Sequence, residues 1–122
     1  MAAIRFDHVQ IYAKDPRVAA DWFARHLGAA VQPGPGRVEV TVGGLVLFVA
    51  RGPGAVADGP AHPHAGTDHI GFAVDDIDGL VAGLVASGVR ITRDVSVLRP
   101  GVRAAFVEGP EGVSIELIER AG

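Results

Sequence analysis

Two stretches of this chain carry the same punctuation. FDHVQIYAKD runs from Phe6 to Asp15 and TDHIGFAVDD from Thr67 to Asp76. Each has Asp-His followed by a β-branched residue, and each has an Asp seven residues after its His. His8 and His69 are 61 positions apart, as are Asp15 and Asp76. An internal repeat constrains the fold more than composition does, because one supersecondary unit must be built twice.

The residues after each landmark extend the match. After Asp15, Val18, Trp22, Phe23 and Leu27 fall at helical spacing and Gly28 stands where a helix stops. After Asp76, Leu80, Leu84 and Val85 form the stripe and Gly88 ends it. Asp15 and Asp76 suit N-caps, with Pro16 at the first helical position. Gly79 and Gly83 weaken the second helix intrinsically, so packing must hold it. The acidic run Asp75, Asp76 and Asp78 reads as helix-start chemistry rather than a calcium site. Strand-like runs follow both helices: AAVQ, RVEVTV and LVLFVA, then VRITRDV, VRAAFVE and VSIELIE. Gly43-Gly44 and Gly109-Pro110-Glu111-Gly112 supply turns.

The order is therefore βαβββ, twice, an α+β class. Module one spans about residues 3–51, a Gly-, Pro- and Ala-rich linker about 52–66, and module two about 67–120. Neither copy buries a sheet alone, so both are expected to form one domain.

Composition narrows the chemistry. Cysteine is absent, which excludes disulfides, thiolate nucleophiles and thiolate metal sites. The net charge is -3 with acids and bases interspersed, which argues against nucleic acid as a partner. The opening residues lack the apolar core of a signal peptide, and no apolar run reaches membrane-spanning length. A cytoplasmic protein with no membrane partner is expected.

Three residues occupy matched or telling places. His8 is read as mid-strand in the first strand, and His69 is its counterpart. Glu116 lies in the last strand between Ile115 and Leu117. Alternation puts Ile115 and Leu117 under the helix and Glu116 on the concave side. It also sets Phe6, His8, Gln10 and Tyr12 on one face. An ionised Glu on a half-buried strand is costly unless paired or metal-bound. Two imidazoles and a carboxylate suit one borderline divalent ion: iron, manganese, zinc or nickel. A lone strand His is more often structural than a ligand; the repeat is what pairs these two.

Other residues carry weaker signals. Gln10 shares the His8 face and could hydrogen-bond substrate or serve only as a polar strand residue. Tyr12 could offer a hydroxyl or pack at the rim. Phe48 reads as apolar packing and, with Tyr12 and Arg103, as a candidate substrate contact. Arg103 on the penultimate strand could pair with a carboxylate or phosphate, or be exposed. His62 and His64 in AHPHAG are expected in a solvated loop, able to cover the cavity as a lid.

DHVQIYAKD, WFARHLG, DHIGFAVDDID and FVEGPEGVSIELIE together resemble the vicinal oxygen chelate superfamily of glyoxalases, bleomycin-resistance proteins and extradiol dioxygenases. The resemblance covers nearly the whole chain. The last segment is similar to the pattern F-x-D-P-D-G-x-x-I-E-L, with Gly109 in place of the usual Asp. The resemblance implies an open, cupped mixed β-sheet barrel, a glyoxalase-like fold. It implies that His8, His69 and Glu116 are metal ligands, that the substrate is a small molecule, and that the chain forms a homodimer. Aligning the final strands sets Phe48 against Glu116. Members resembling glyoxalase I or methylmalonyl-CoA epimerase carry a fourth ligand at the Phe48 position, so this chain has an open three-ligand site. The function implied is a metal-dependent lyase, isomerase or related electrophilic enzyme. The alternatives are an iron-dependent extradiol-type dioxygenase and a non-catalytic drug-binding protein. One Trp, one Tyr and five Phe make a stacking cleft poor. The loop after Asp94 lacks the lysine and serine cluster of a fosfomycin-modifying transferase.

Overall fold

The computed structural model describes residues 2–122. The described residues form two compact units, divided between Ala57 and Asp58. The division falls inside the expected linker.

Unit 1 runs β1 (Val9–Tyr12), α1 (Pro16–Leu27), β2 (Ala30–Gly34), β3 (Arg37–Val42) and β4 (Leu45–Ala50). Its sheet has the order β1-β4-β3-β2. The β1–β4 pair is parallel and the others are antiparallel. The parallel pair needs a crossover, which α1 and the β2–β3 hairpin provide. Asp15 caps α1, its carboxylate accepting from the amides of Arg17 and Val18 at 3.1 and 3.2 Å. Gly28 ends the helix in the left-handed region, φ 68°. Gly43 and Gly44, both at positive φ, turn β3 into β4; this is the geometry of a two-residue hairpin loop, which side chains resist.

The core of unit 1 joins one helix face to one sheet face. Phe23, Val40, Leu47 and Val49 have no exposed surface, and Ala19, Ala20, Ile11 and Val38 are buried beside them. Each of the larger apolar side chains contributes about 1.5–3 kcal/mol by leaving water. The buried stripe of α1 is Ala19, Ala20 and Phe23, which corrects the expected stripe at one point: Val18 is 66% exposed. Small alanines let the helix approach the sheet, so bulk was a poor guide to its inner face.

Unit 2 repeats the plan with β5 (His69–Ala73), α2 (Ile77–Ala86), β6 (Ile91–Arg99), β7 (Val102–Glu108), a single 3-10 turn at Pro110–Gly112, and β8 (Ser114–Arg120). The order β5-β8-β7-β6, with β5 parallel to β8, is that of unit 1. Asp76 caps α2 by accepting from the Gly79 amide at 3.0 Å. A β-carbon at Gly79 would collide with that carboxylate, which explains a glycine otherwise unfavourable in a helix. Ile77, Leu84, Ala105, Val107, Ile115 and Leu117 form the core, whereas Val85 is 57% exposed. β6 extends to Arg99, further than VRITRDV suggested, and pairs with β7 through register shifts. Such bulges let a strand continue past the point where alternation fails. No helix among the described residues is long and apolar enough to cross a membrane.

Candidate metal centre

β5 and β8 lie in parallel register, with His69 opposite Ser114 and Gly71 opposite Glu116. Ile115 and Leu117 are fully buried under α2, as alternation required, so Glu116 projects from the other face. Its side chain keeps 16% of its surface, and His69 Nε2 stands 3.5 Å from its Oε1. The imidazole does not choose its tautomer freely. His69 Nδ1 lies 3.0 Å from Asp68 Oδ2, and a carboxylate only accepts, so Nδ1 carries the proton. In the neutral ring Nε2 then presents its lone pair to Glu116. Two electron-rich atoms facing each other at this distance are stabilised by a cation between them. This donor set, an imidazole held by a carboxylate and facing a second carboxylate, fits a borderline divalent ion. Gly71, across from Glu116, leaves space; a β-carbon there would come 3.5 Å from Oε1, an ordinary contact. The Phe106 ring meets the His69 ring edge-on at 5.1 Å.

Unit 1 carries the counterpart. His8 immediately precedes β1 rather than lying mid-strand. Its Nδ1 lies 2.6 Å from Asp7 Oδ2, so here too the preceding Asp fixes the proton and leaves Nε2 as the donor atom. The position of Glu116 is taken by Phe48, opposite Gln10 just as Glu116 is opposite Gly71. The His8 ring stacks on Phe48 at 3.9 Å and 22°. The Arg37 guanidinium lies 3.6 Å from the centroid of the same Phe48 ring. Both can be so near only on opposite faces, so Phe48 has only its edge left for a ligand. Arg37 also pairs with Glu39 at 3.1 Å. It helps line an open cleft of about 510 Å³ with Gln32, Pro33 and Glu39, at the β2–β3 hairpin.

The remaining candidates separate. Gln10 donates through Nε2 to the carbonyls of Phe48 and Ile11 at 3.0 and 3.2 Å, which ties it to β4 and leaves only its oxygen for other partners. Tyr12 is 45% exposed. Arg103 pairs across β7–β8 with Glu119, two residues past Leu117 and so on the helix-covered side of the sheet. It donates to Glu119 at 2.8 Å and approaches Asp78 of α2 at 3.0 Å. These carboxylates raise the Arg103 pKa, Glu119 first. The Ile77 amide, and then Arg103, hold Glu119 below the usual carboxylate range. Arg103 thus clamps α2 to the sheet, on the side away from Glu116.

The linker is largely exposed and free of helix and strand, as expected, but two of its histidines have fixed partners. His62 and His64 converge on Asp68, one carboxylate oxygen drawing both rings. A hydrogen bond to the Gly112 carbonyl, followed by Asp68, raises the His62 pKa. Asp68 is held well below its ordinary range, first by His69, then by the His64 amide and His62. Asp7 and Asp68 were visible in the sequence only as half of a repeated Asp-His dipeptide. That repetition was the available signal for their orienting contacts.

Comparison with known proteins agrees with this architecture. A family model described as the glyoxalase/bleomycin resistance protein/dioxygenase superfamily matches residues 5–117. A probable chloroplastic lactoylglutathione lyase of Arabidopsis thaliana is 39% identical over 57 residues, 46% of this chain but only 16% of that protein. A glyoxalase family protein from Bacillus cereus superposes with a TM-score of 0.83 at 20% identity, covering 100% of this chain and 97% of its own. A genomically encoded fosfomycin resistance protein from Listeria monocytogenes does so with a TM-score of 0.77 at 15% identity, covering 97% and 94%. At such identities the likeness shows the fold. With the family model spanning most of the chain and the βαβββ plan present twice, the chain belongs to the glyoxalase/bleomycin resistance protein/dioxygenase superfamily.

Proposed function

We propose that this protein is a divalent-metal-dependent enzyme acting on an oxygen-rich small molecule, with His8, His69 and Glu116 as ligands. The observation that carries the reading is the Asp68–His69–Glu116 arrangement. His8 joins the ligand set because its place in the repeat, its preceding Asp and its fixed Nδ1 proton match those of His69. A metal held by this set supplies Lewis-acid stabilisation of a developing oxyanion or enolate on the substrate.

The residues divide the remaining work. Asp7 and Asp68 keep the two Nε2 atoms unprotonated and aimed. Glu116 supplies the negative charge, and its partial burial keeps that charge unscreened. Phe48, at the position where unit 2 carries a carboxylate, contributes no fourth donor. Coordination therefore stays open for substrate oxygens, which disfavours the isomerisation run by four-ligand members of the family. The Gln10 oxygen is available to a substrate hydroxyl, and Tyr12 stands at the exposed end of the same strand face.

A homodimer is part of this reading. Ile4 is 95% and Phe6 71% exposed on the segment leading into β1, an edge strand. Such apolar surface at a sheet edge suits a second copy. Light scattering on the purified chain tests it: a dimer mass supports the reading and a monomer mass opposes it.

The test of the metal is elemental analysis of purified protein beside its Glu116→Ala variant. Metal in the wild type, at one equivalent from this set, and its loss in the variant support the proposal. A chelator-insensitive protein that binds small molecules equally well with Ala at this position is a carrier instead. Oxygen uptake on catechols by the iron-loaded protein moves the reaction to the dioxygenase class.

A further inference from the structure

The linker cluster is a second place where lone pairs converge. His62 Nε2 lies 2.9 Å from the Gly112 carbonyl oxygen, so that nitrogen must carry the proton. In the neutral ring its Nδ1 is then a bare lone pair, 3.2 Å from Asp68 Oδ1. His64 Nδ1 lies 2.8 Å from the Ala65 carbonyl oxygen, so it too is the protonated nitrogen. The bare Nε2 of His64 stands 3.9 Å from the same Asp68 Oδ1. The three donor atoms all fall within 4.8 Å of one another. The His64 amide donates to Oδ1 at 2.9 Å and holds the carboxylate in place.

We propose that His62 Nδ1, His64 Nε2 and Asp68 Oδ1 form a zinc site separate from the His69–Glu116 pair. Zinc–nitrogen and zinc–oxygen bonds of about 2.0–2.1 Å in a tetrahedron set ligand atoms about 3.4 Å apart. The two observed distances to Asp68 Oδ1, 3.2 and 3.9 Å, bracket that value. Backbone carbonyls on the far nitrogens are the usual outer partners of ligating imidazoles, and both rings have one. Two imidazoles select a borderline ion over calcium or magnesium, which take oxygen ligands. The side chains keep 21–33% of their surface, leaving a fourth position to water. The ion would fasten the linker to the Gly112 turn and to the residue before β5. It also shares a carboxylate with His69, since Asp68 Oδ2 holds that ring.

Zinc titration of chelator-stripped protein, read by competition with a chromophoric chelator, tests the site in three proteins. The wild type is expected to bind two zinc ions per chain. The His62→Ala/His64→Ala double variant is expected to lose one, and the Glu116→Ala variant the other. Cobalt gives a second readout: the Glu116→Ala protein should still develop a visible tetrahedral spectrum, absent when His62 and His64 are also replaced. Zinc should also slow proteolysis of residues 58–68 in the Glu116→Ala background. Unchanged zinc binding in the double variant overturns the proposal and leaves an imidazolium paired with Asp68. Loss of zinc only on changing Glu116 overturns it equally, while supporting the first centre. If the double variant loses zinc and Glu116→Ala does not, the linker site stands and the first centre falls.

Discussion

At the scale of single residues, the recurring device is an aspartate that dictates a histidine tautomer. Asp7 and Asp68 each accept a hydrogen bond from the Nδ1–H of the next residue, so each Nε2 is left with the lone pair that can ligate. Outer partners of this kind are worth 10–100-fold in metal affinity. Asp7→Ala, which leaves the linker cluster untouched, should therefore weaken metal binding at the Glu116 centre about 10–100-fold with little change in folded circular dichroism. Chelator competition measures it, and unaltered affinity would remove the orienting role. Phe48 illustrates the opposite case, a ring closed on both faces by His8 and Arg37. Phe48→Leu should cost about 0.5–1.5 kcal/mol, readable as a lower urea midpoint. Gly109 sits in a tight place: a β-carbon there would come 2.9 Å from Ile115 Cδ1 and 3.2 Å from the Val113 carbonyl oxygen, so a larger residue would need the Ile115 side chain to shift.

At the scale of elements, caps and cross-strand clamps hold the helices over the sheets. Asp15→Ala removes the acceptor for two amides at the start of α1 and should cost about 1 kcal/mol, visible in denaturant melts. α2 is held differently, with Glu119 accepting from the Ile77 amide and pairing with Arg103, which reaches Asp78. Because Glu119 is held below its ordinary pKa, the unfolded chain binds its proton more readily than the folded one. Its stabilisation is complete above the usual glutamate range and is lost as pH falls through the depressed value. Glu119→Gln should flatten that acid limb; melting temperatures between pH 6 and about pH 3 would show it, relative to a usual glutamate pKa of about 4.3. Arg103 is not placed by alternation because Ala104 and Ala105 beside it are both buried, so small side chains hide which face of β7 is inner. The inner face of α1 departs from the expected stripe for a related reason: helix–sheet distance, set by Ala19 and Ala20, outweighs side-chain size at Val18.

At the scale of the molecule, the two units use one plan with different contents. In unit 1 the matched position holds an aromatic ring, and in unit 2 a carboxylate. Both cores rest on fully buried apolar side chains, so Phe23→Ala in unit 1 and Leu117→Ala in unit 2 should cost about 3–5 and 2–5 kcal/mol. Equilibrium unfolding measures both; a loss below 1 kcal/mol would mean the surrounding helix collapses onto the space.

The sequence by itself determined the repeat, the order of its elements, the faces of β5 and β8, and the pairing of His8 with His69 as equivalent positions. These follow from period-two and helical spacing and from caps and turns, all of which are local. Only the tertiary structure decided which nitrogen of each histidine is free, that Arg103 serves α2, and that His62 and His64 meet Asp68. These outcomes depend on side-chain rotamers and on contacts between elements, among them the Gly112 carbonyl fifty positions from His62. No periodicity along the chain encodes such a contact, because it exists only once the turn before β8 is folded against the linker.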